Sequence, residues 1–176
     1  MNKSKNWQIK LLWLIGLAPL LLAWTMSLTG WGVPSETKNH GDLVKPALKV
    51  PQTVNMLHEG RWGLMYLSNS CDEICEKKLI LMQQVHKALG KEFSRLQSLW
   101  IKGEGHELFP PREDLVSELD SKSIIAWFEK NNLPAFDHSI WLIDPEGNLV
   151  LRYSQDISGK DMLQDIRWLL KVSRIG

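Results

Sequence analysis

Alternating strand and helix signals place this chain among α/β proteins, as one sandwich domain preceded by a single N-terminal transmembrane helix. Three observations lead there. Residues 11–32 form an uncharged run ahead of everything else. Behind it, short apolar runs alternate with stretches whose apolar residues recur every three or four positions, as strands and crossover helices do. Near the C-terminus, two strand-like runs flank Asp144-Pro145-Glu146-Gly147-Asn148, a turn signal, before a last amphipathic stretch. The resulting order is β-α-β-α-β-β-α. Parallel strands joined by crossover helices and closed by a hairpin and helix describe a thioredoxin-like sandwich.

The apolar run, as a helix, would be about 33 Å long, enough for a bilayer core. Gly16 and Pro19 are tolerated in such helices, and Trp7, Trp13, Trp24 and Trp31 suit the two interfaces. Lys3, Lys5 and Lys10 precede any acid, which places residues 1–10 in the cytoplasm and the domain on the far side, in the periplasm for a bacterial inner membrane protein. A cleaved signal peptide is the competing reading. The run is long for a signal and no Ala-x-Ala site follows it, so an uncleaved anchor over residues 11–32 is expected.

Residues 33–60 are mixed and polar, with Pro34, Pro46 and Pro51 spaced through them, and read as a tether; His40 and His58 fall here and are assigned no role. The domain proper is then 61–176. With 21 basic and 20 acidic residues the chain has no basic stripe, which argues against a nucleic-acid partner.

Within the domain, residues 62–67 read as a buried strand. Leu79, Met82, Val85, Leu89, Phe93 and Leu96 form the stripe of an amphipathic helix. A second strand follows at 96–101, then a glycine- and proline-bearing loop at 102–111, helices at 113–119 and 123–130, the hairpin strands at 139–143 and 149–153, and a final helix at 160–172.

Between the first strand and its helix stand the chain's two cysteines, Cys71 and Cys75. Residues four apart on a helix share a face with Cβ atoms about 5–6 Å apart, so two thiolates there can pinch one soft metal ion. A disulfide needs a separation nearer about 3.8 Å, so closing it requires Cys71 to lie in the loop. Asp72, Glu73 and Glu76 oppose thiolate formation but suit a helix N-terminus, and Lys77 and Lys78 partly offset them; each acid reads as a solvated first-turn residue.

The loop ahead of the hairpin carries Phe136-Asp137-His138-Ser139. In a thioredoxin-like architecture it packs against the cysteine turn, so His138 can complete a Cys2His site. Two thiolates and an imidazole suit copper, and low coordination by thiolates favours Cu(I), with Cu(II) as the alternative state. Asp137 is the candidate to orient the ring from behind. His86 lies about three turns down the helix from Cys75, too far to share the metal, and His106 in its loop is a weak candidate.

Gly60-Arg61-Trp62, Cys71…Cys75, Asp137-His138-Ser139 and Asp144-Pro145-Glu146-Gly147 occur here in the order in which the Sco/SenC family carries its tryptophan strand, Cys-x-x-x-Cys turn, late Asp-His-Ser and Asp-Pro-x-Gly. Over residues 57–172 the chain resembles that family as a shortened member. It departs from the pattern in having Asp72 and Glu76 where proline usually follows each cysteine, and no N-terminal hairpin is read in residues 33–60. The resemblance implies copper held at Cys71, Cys75 and His138. It also implies a role in maturing the copper centre of cytochrome c oxidase, by delivering metal or by reducing the acceptor cysteines. The partners would be the copper-bearing subunit of the oxidase, with another copper chaperone or a thiol reductase upstream. The rival reading is a metal-free thiol–disulfide oxidoreductase or redox sensor, with Cys71 attacking and Cys75 resolving. A structural zinc site is disfavoured, since it needs four ligands and three converge.

Overall fold

Helix α1 (Lys3–Thr29) carries its lysines in its first eight residues, and its segment Lys10–Leu28 is long and apolar enough to cross a membrane. The computed structural model describes residues 3–29, 39–103 and 121–173. The helix expected at 113–119 and most of the loop at 102–111, with His106, lie outside them.

From Asn39 onward the chain forms a second unit built on a five-stranded sheet. Its strands are β1 (Asp42–Lys49), β2 (Trp62–Ser68), β3 (Leu96–Lys102), β4 (Ile140–Ile143) and β5 (Asn148–Tyr153), in the order β1-β5-β4-β2-β3. Among the described strands only β2 and β3 run parallel, because helix α3 (Glu73–Ala88) carries the chain back between them. The other three pairings are antiparallel.

Every residue of β2 is buried, as expected of a strand covered on both faces, whose sequence reads as one apolar run rather than an alternation. Trp62, Leu64 and Tyr66 join Leu79, Met82 and Val85 of α3 and Met162, Ile166 and Leu170 of helix α5 (Gly159–Val172) in one core. Met65 and Leu67 point the other way. They pack with Ile124 and Phe128 of helix α4 (Ser121–Lys130) and with Trp141, against whose ring Phe128 stands edge-on at 5.3 Å. The hairpin turn forms as read: Asp144 Oδ1 accepts from the backbone N–H groups of Glu146 and Asn148, and Gly147 supplies the positive φ of 84° that the turn needs.

Residues 42–58 are not a tether. Strand β1 pairs antiparallel with β5 and extends the sheet, and helix α2 (Gln52–His58) packs behind it. Val50 and Val54 enter the second core, and the Val50 N–H donates to the Gly147 carbonyl at 2.9 Å. His58 is buried, with Nδ1 on the Arg61 carbonyl at 2.6 Å, rather than solvated. Pro46 is accommodated because β1 is an edge strand. What replaces the expected plain loop is one added strand and helix, not a hairpin.

His40 also has a structural role. The buried Asp165 carboxylate of α5 accepts from the His40 N–H at 2.8 Å, from the Gly41 N–H at 3.0 Å and from His40 Nδ1 at 2.8 Å. This clasp fixes the start of the domain to its last helix. The ion pair holds the His40 imidazole above its ordinary pKa, chiefly through the hydrogen bond to Asp165.

Candidate functional site

The site begins where β2 ends. Ser68 is the last strand residue, Asn69 to Cys71 turn the chain, and Asp72 caps α3 by accepting the Cys75 N–H on Oδ1 at 2.9 Å. Because Cys71 stands outside the helix and Cys75 in its first turn, the Cα atoms come to 5.0 Å and the two sulfurs are joined in a disulfide. The bent entry required for closure is present. Asp72 is therefore a cap and not merely a solvated acid. Its carboxyl is held below the usual range, first by the Cys75 N–H and further by the nearby His138.

The two sulfur-bearing residues differ in exposure. Cys71 is partly exposed at the turn, whereas Cys75 is completely buried. Ser68 Oγ lies 3.6 Å from Cys75 Sγ and accepts the Trp100 indole N–H at 2.9 Å. A disulfide sulfur has no hydrogen to give, so in this contact the hydroxyl is the donor. Glu73 pairs with Lys77 on the exposed helix face at 2.6 Å, while Lys78 is buried and donates to the Gln155 carbonyl, away from the acids it was expected to offset.

The loop before β4 brings His138 to this end of the sheet, with a positive φ of 58°. Its Nδ1 lies 3.0 Å from the hydroxyl oxygen of Tyr66, a fully buried β2 side chain. Burial, with the charges of Asp72 and Asp137 adding to it, pushes the Tyr66 phenol above its ordinary pKa. Asp137 takes a different part from the expected one. Its Oδ2 accepts from Ser139 Oγ at 2.8 Å and from Arg152 Nη2, and Arg152 Nε donates to Ser139 Oγ at 3.0 Å. Among the described contacts the ring is held by Tyr66 and not by Asp137.

Cys71 and Cys75 are thus brought together, and His138 stands beside Tyr66. His86 is bonded to the Phe93 carbonyl near the far end of α3. With the sulfurs bonded to each other, no group of three or more His, Cys, Asp or Glu among the described residues is arranged to hold a metal. Reduction would release two thiolates at the end of the sheet that carries an imidazole. That donor set fits a soft monovalent ion such as Cu(I) in type, and two-electron thiol–disulfide chemistry is open to the pair without any metal.

Residues 62–173 match the family described as transmembrane-like, thioredoxin-like, C-terminal domain. The chain belongs to this family. Like other thioredoxin-like proteins, this transmembrane-like thioredoxin-like chain shares its fold with solved structures of low identity. Yeast Sco1 is 19% identical with a TM-score of 0.55 over 68% of this chain and 85% of that one. Apo Sco1 of Thermus thermophilus is 14% identical with a TM-score of 0.55 over 77% and 99%. Copper-bound ScoI of Bradyrhizobium japonicum is 16% identical with a TM-score of 0.50 over 65% and 88%. No curated protein sequence matches the chain.

Sequence reasoning missed Tyr66 and Ser68 as groups of the site. Both carried a signal. On a strand leading into the cysteine turn, alternate residues share a face, so positions 66 and 68 lie on the side that α3 covers. Their polar tips needed partners once that face was buried.

Proposed function

We propose that the protein is a membrane-anchored, Sco-like assembly factor for the copper centre of cytochrome c oxidase. In this reading the reduced Cys71 and Cys75 sulfurs and the His138 imidazole receive one Cu(I). The ion is cargo, passed by ligand exchange to the copper-bearing subunit, or the dithiol instead reduces that subunit's cysteines. The observation that carries the reading is the Tyr66–His138 bond, which keeps an imidazole at the end of β2 from which the cysteine turn departs. The ordered motifs and the fold shared with copper-bound ScoI support it. The apolar helix and its preceding lysines support a single-pass protein of the bacterial inner membrane, with the N-terminus cytoplasmic and the domain periplasmic.

The test is a Cu(I) titration of the reduced full-length protein in detergent against a chromophoric chelator. One Cu(I) per chain is expected, and His138→Ala should weaken it by more than the roughly 10–100-fold that loss of an outer partner alone costs, while leaving thermal melting near that of the parent. Equal affinity in that variant would remove the histidine from the site and with it the metal reading.

A second reading, a metal-free thiol–disulfide oxidoreductase, is favoured by the unequal exposure of the two cysteines. The accessible Cys71 thiolate would attack a partner disulfide and expel one partner thiolate. The buried Cys75 thiolate would then attack Cys71 Sγ, expelling the second, so that two electrons pass to the partner as the disulfide seen here re-forms.

A further inference from the structure

We propose that Tyr66 is a positioning residue that selects the ring nitrogen of His138 offered to an incoming ion, holding Nδ1 so that Nε2 faces outward; this rests on the copper reading above.

Three features of the geometry support the assignment. Tyr66 is fully buried on β2, which is paired on both sides by β3 and β4, so its ring is fixed by the core rather than by the site. Its hydroxyl is at hydrogen-bond distance from Nδ1, 3.0 Å, and no bond from Nε2 is found among the described contacts. The adjacent carboxylate, the usual kind of group to hold a ligating histidine, is occupied by Ser139 and Arg152.

A phenol suits the task because it can donate or accept. When Nε2 takes an ion, Nδ1 must carry the ring proton and donate it, and Tyr66 Oη accepts. The choice of a phenol over a carboxylate also has a consequence for the cargo. A carboxylate partner makes an imidazole a stronger ligand, whereas a neutral phenol fixes its direction with less added basicity. Tyr66 therefore orients His138 while tightening the site less than a carboxylate would, which suits an ion that must leave again.

The experiment is ¹⁵N NMR of the His138 ring in the reduced full-length protein, metal-free and after one equivalent of Cu(I), for the parent and for Tyr66→Phe. In the metal-free parent, the ring is expected in a single hydrogen-bonded state, which Tyr66→Phe converts to the tautomer mixture of a solvated imidazole. Ring shifts unchanged by the substitution would overturn the proposal, whatever copper does. In the loaded parent, Nε2 should carry the coordination shift while Nδ1 keeps its proton; coordination through Nδ1 would likewise overturn it. Tyr66→Phe should weaken Cu(I) about 10–100-fold, as loss of such a partner does, and thermal melting reports separately on the fold. A parent that takes up no Cu(I) sinks the copper reading instead, and the metal-free ring spectra still decide for or against Tyr66.

Discussion

The cysteine turn and the His40–Asp165 clasp are both held by a carboxylate receiving backbone N–H groups, yet they are made in opposite ways. At the turn, Asp72 caps a nitrogen three residues on, and the disulfide joins residues four apart. At the clasp, Asp165 reaches residues 125 and 124 positions away in sequence. The turn is consequently a closure made within a few residues of chain. The clasp is a long-range closure, and the added strand β1 depends on it. The carboxylate of the clasp is buried in α5, whereas Cys71 at the turn is partly exposed.

The contrast can be tested by removing each element. Asp165→Ala leaves the His40 and Gly41 N–H groups without their acceptor inside the structure, and a lost buried network of this kind is among the costly substitutions. Thermal melting of the variant should fall by roughly 5–15 °C, with the redox potential of the cysteine pair unchanged. A potential that moves with the melting point would show that the two regions are not independent.

Reducing the disulfide should cost less. The loop it closes is very short, so the chain-entropy contribution is about 2 kcal/mol. Urea unfolding of the reduced and oxidised protein should differ by that order, with a similar dependence on denaturant, since the same core is exposed in both.

The smallest effect is in pH, where two histidines of the N-terminal segment act in opposite senses. His40 is raised by its bond to Asp165, so its contribution is complete below the ordinary value near about 6.5 and is lost as pH rises through the folded-state value. His58 is lowered by burial, so its contribution is complete above that value and is lost as pH falls towards its folded-state value. Stability measured by urea unfolding from acid to mildly alkaline pH should therefore peak between the two limbs. Asp165→Asn should flatten the alkaline limb and keep the acid one; an unaltered alkaline limb would remove His40 as its origin.

Much of this architecture could be read from the chain. Strand β2, helix α3, the Asp144 turn and helix α5 all announce themselves by periodicity or by turn chemistry within a short window. The Cys71–Cys75 closure was legible as a condition, that Cys71 lie outside the helix, and the condition is met. Strand β1 and helix α2 were not legible. An edge strand with an almost wholly exposed pattern and a seven-residue helix with two buried positions give too few apolar residues to mark a period. His58 was assigned no role because nothing near it in sequence says that it is buried. Asp137 looked like the partner of His138 because it is adjacent, but its carboxylate is taken by Ser139 and by Arg152 of β5, which no local pattern announces.

The order of residues was sufficient for the membrane-length helix, the alternating elements of the domain and the condition under which two sulfurs pair, because each depends on interactions within a few residues. Folding was needed to bring a phenol from β2 to the imidazole of a distant loop, to turn Asp137 towards Arg152, and to give Asp165 its partners from the start of the domain. Those contacts join positions far apart in the chain, and a hydrogen bond formed across such a separation has no local pattern to foretell it.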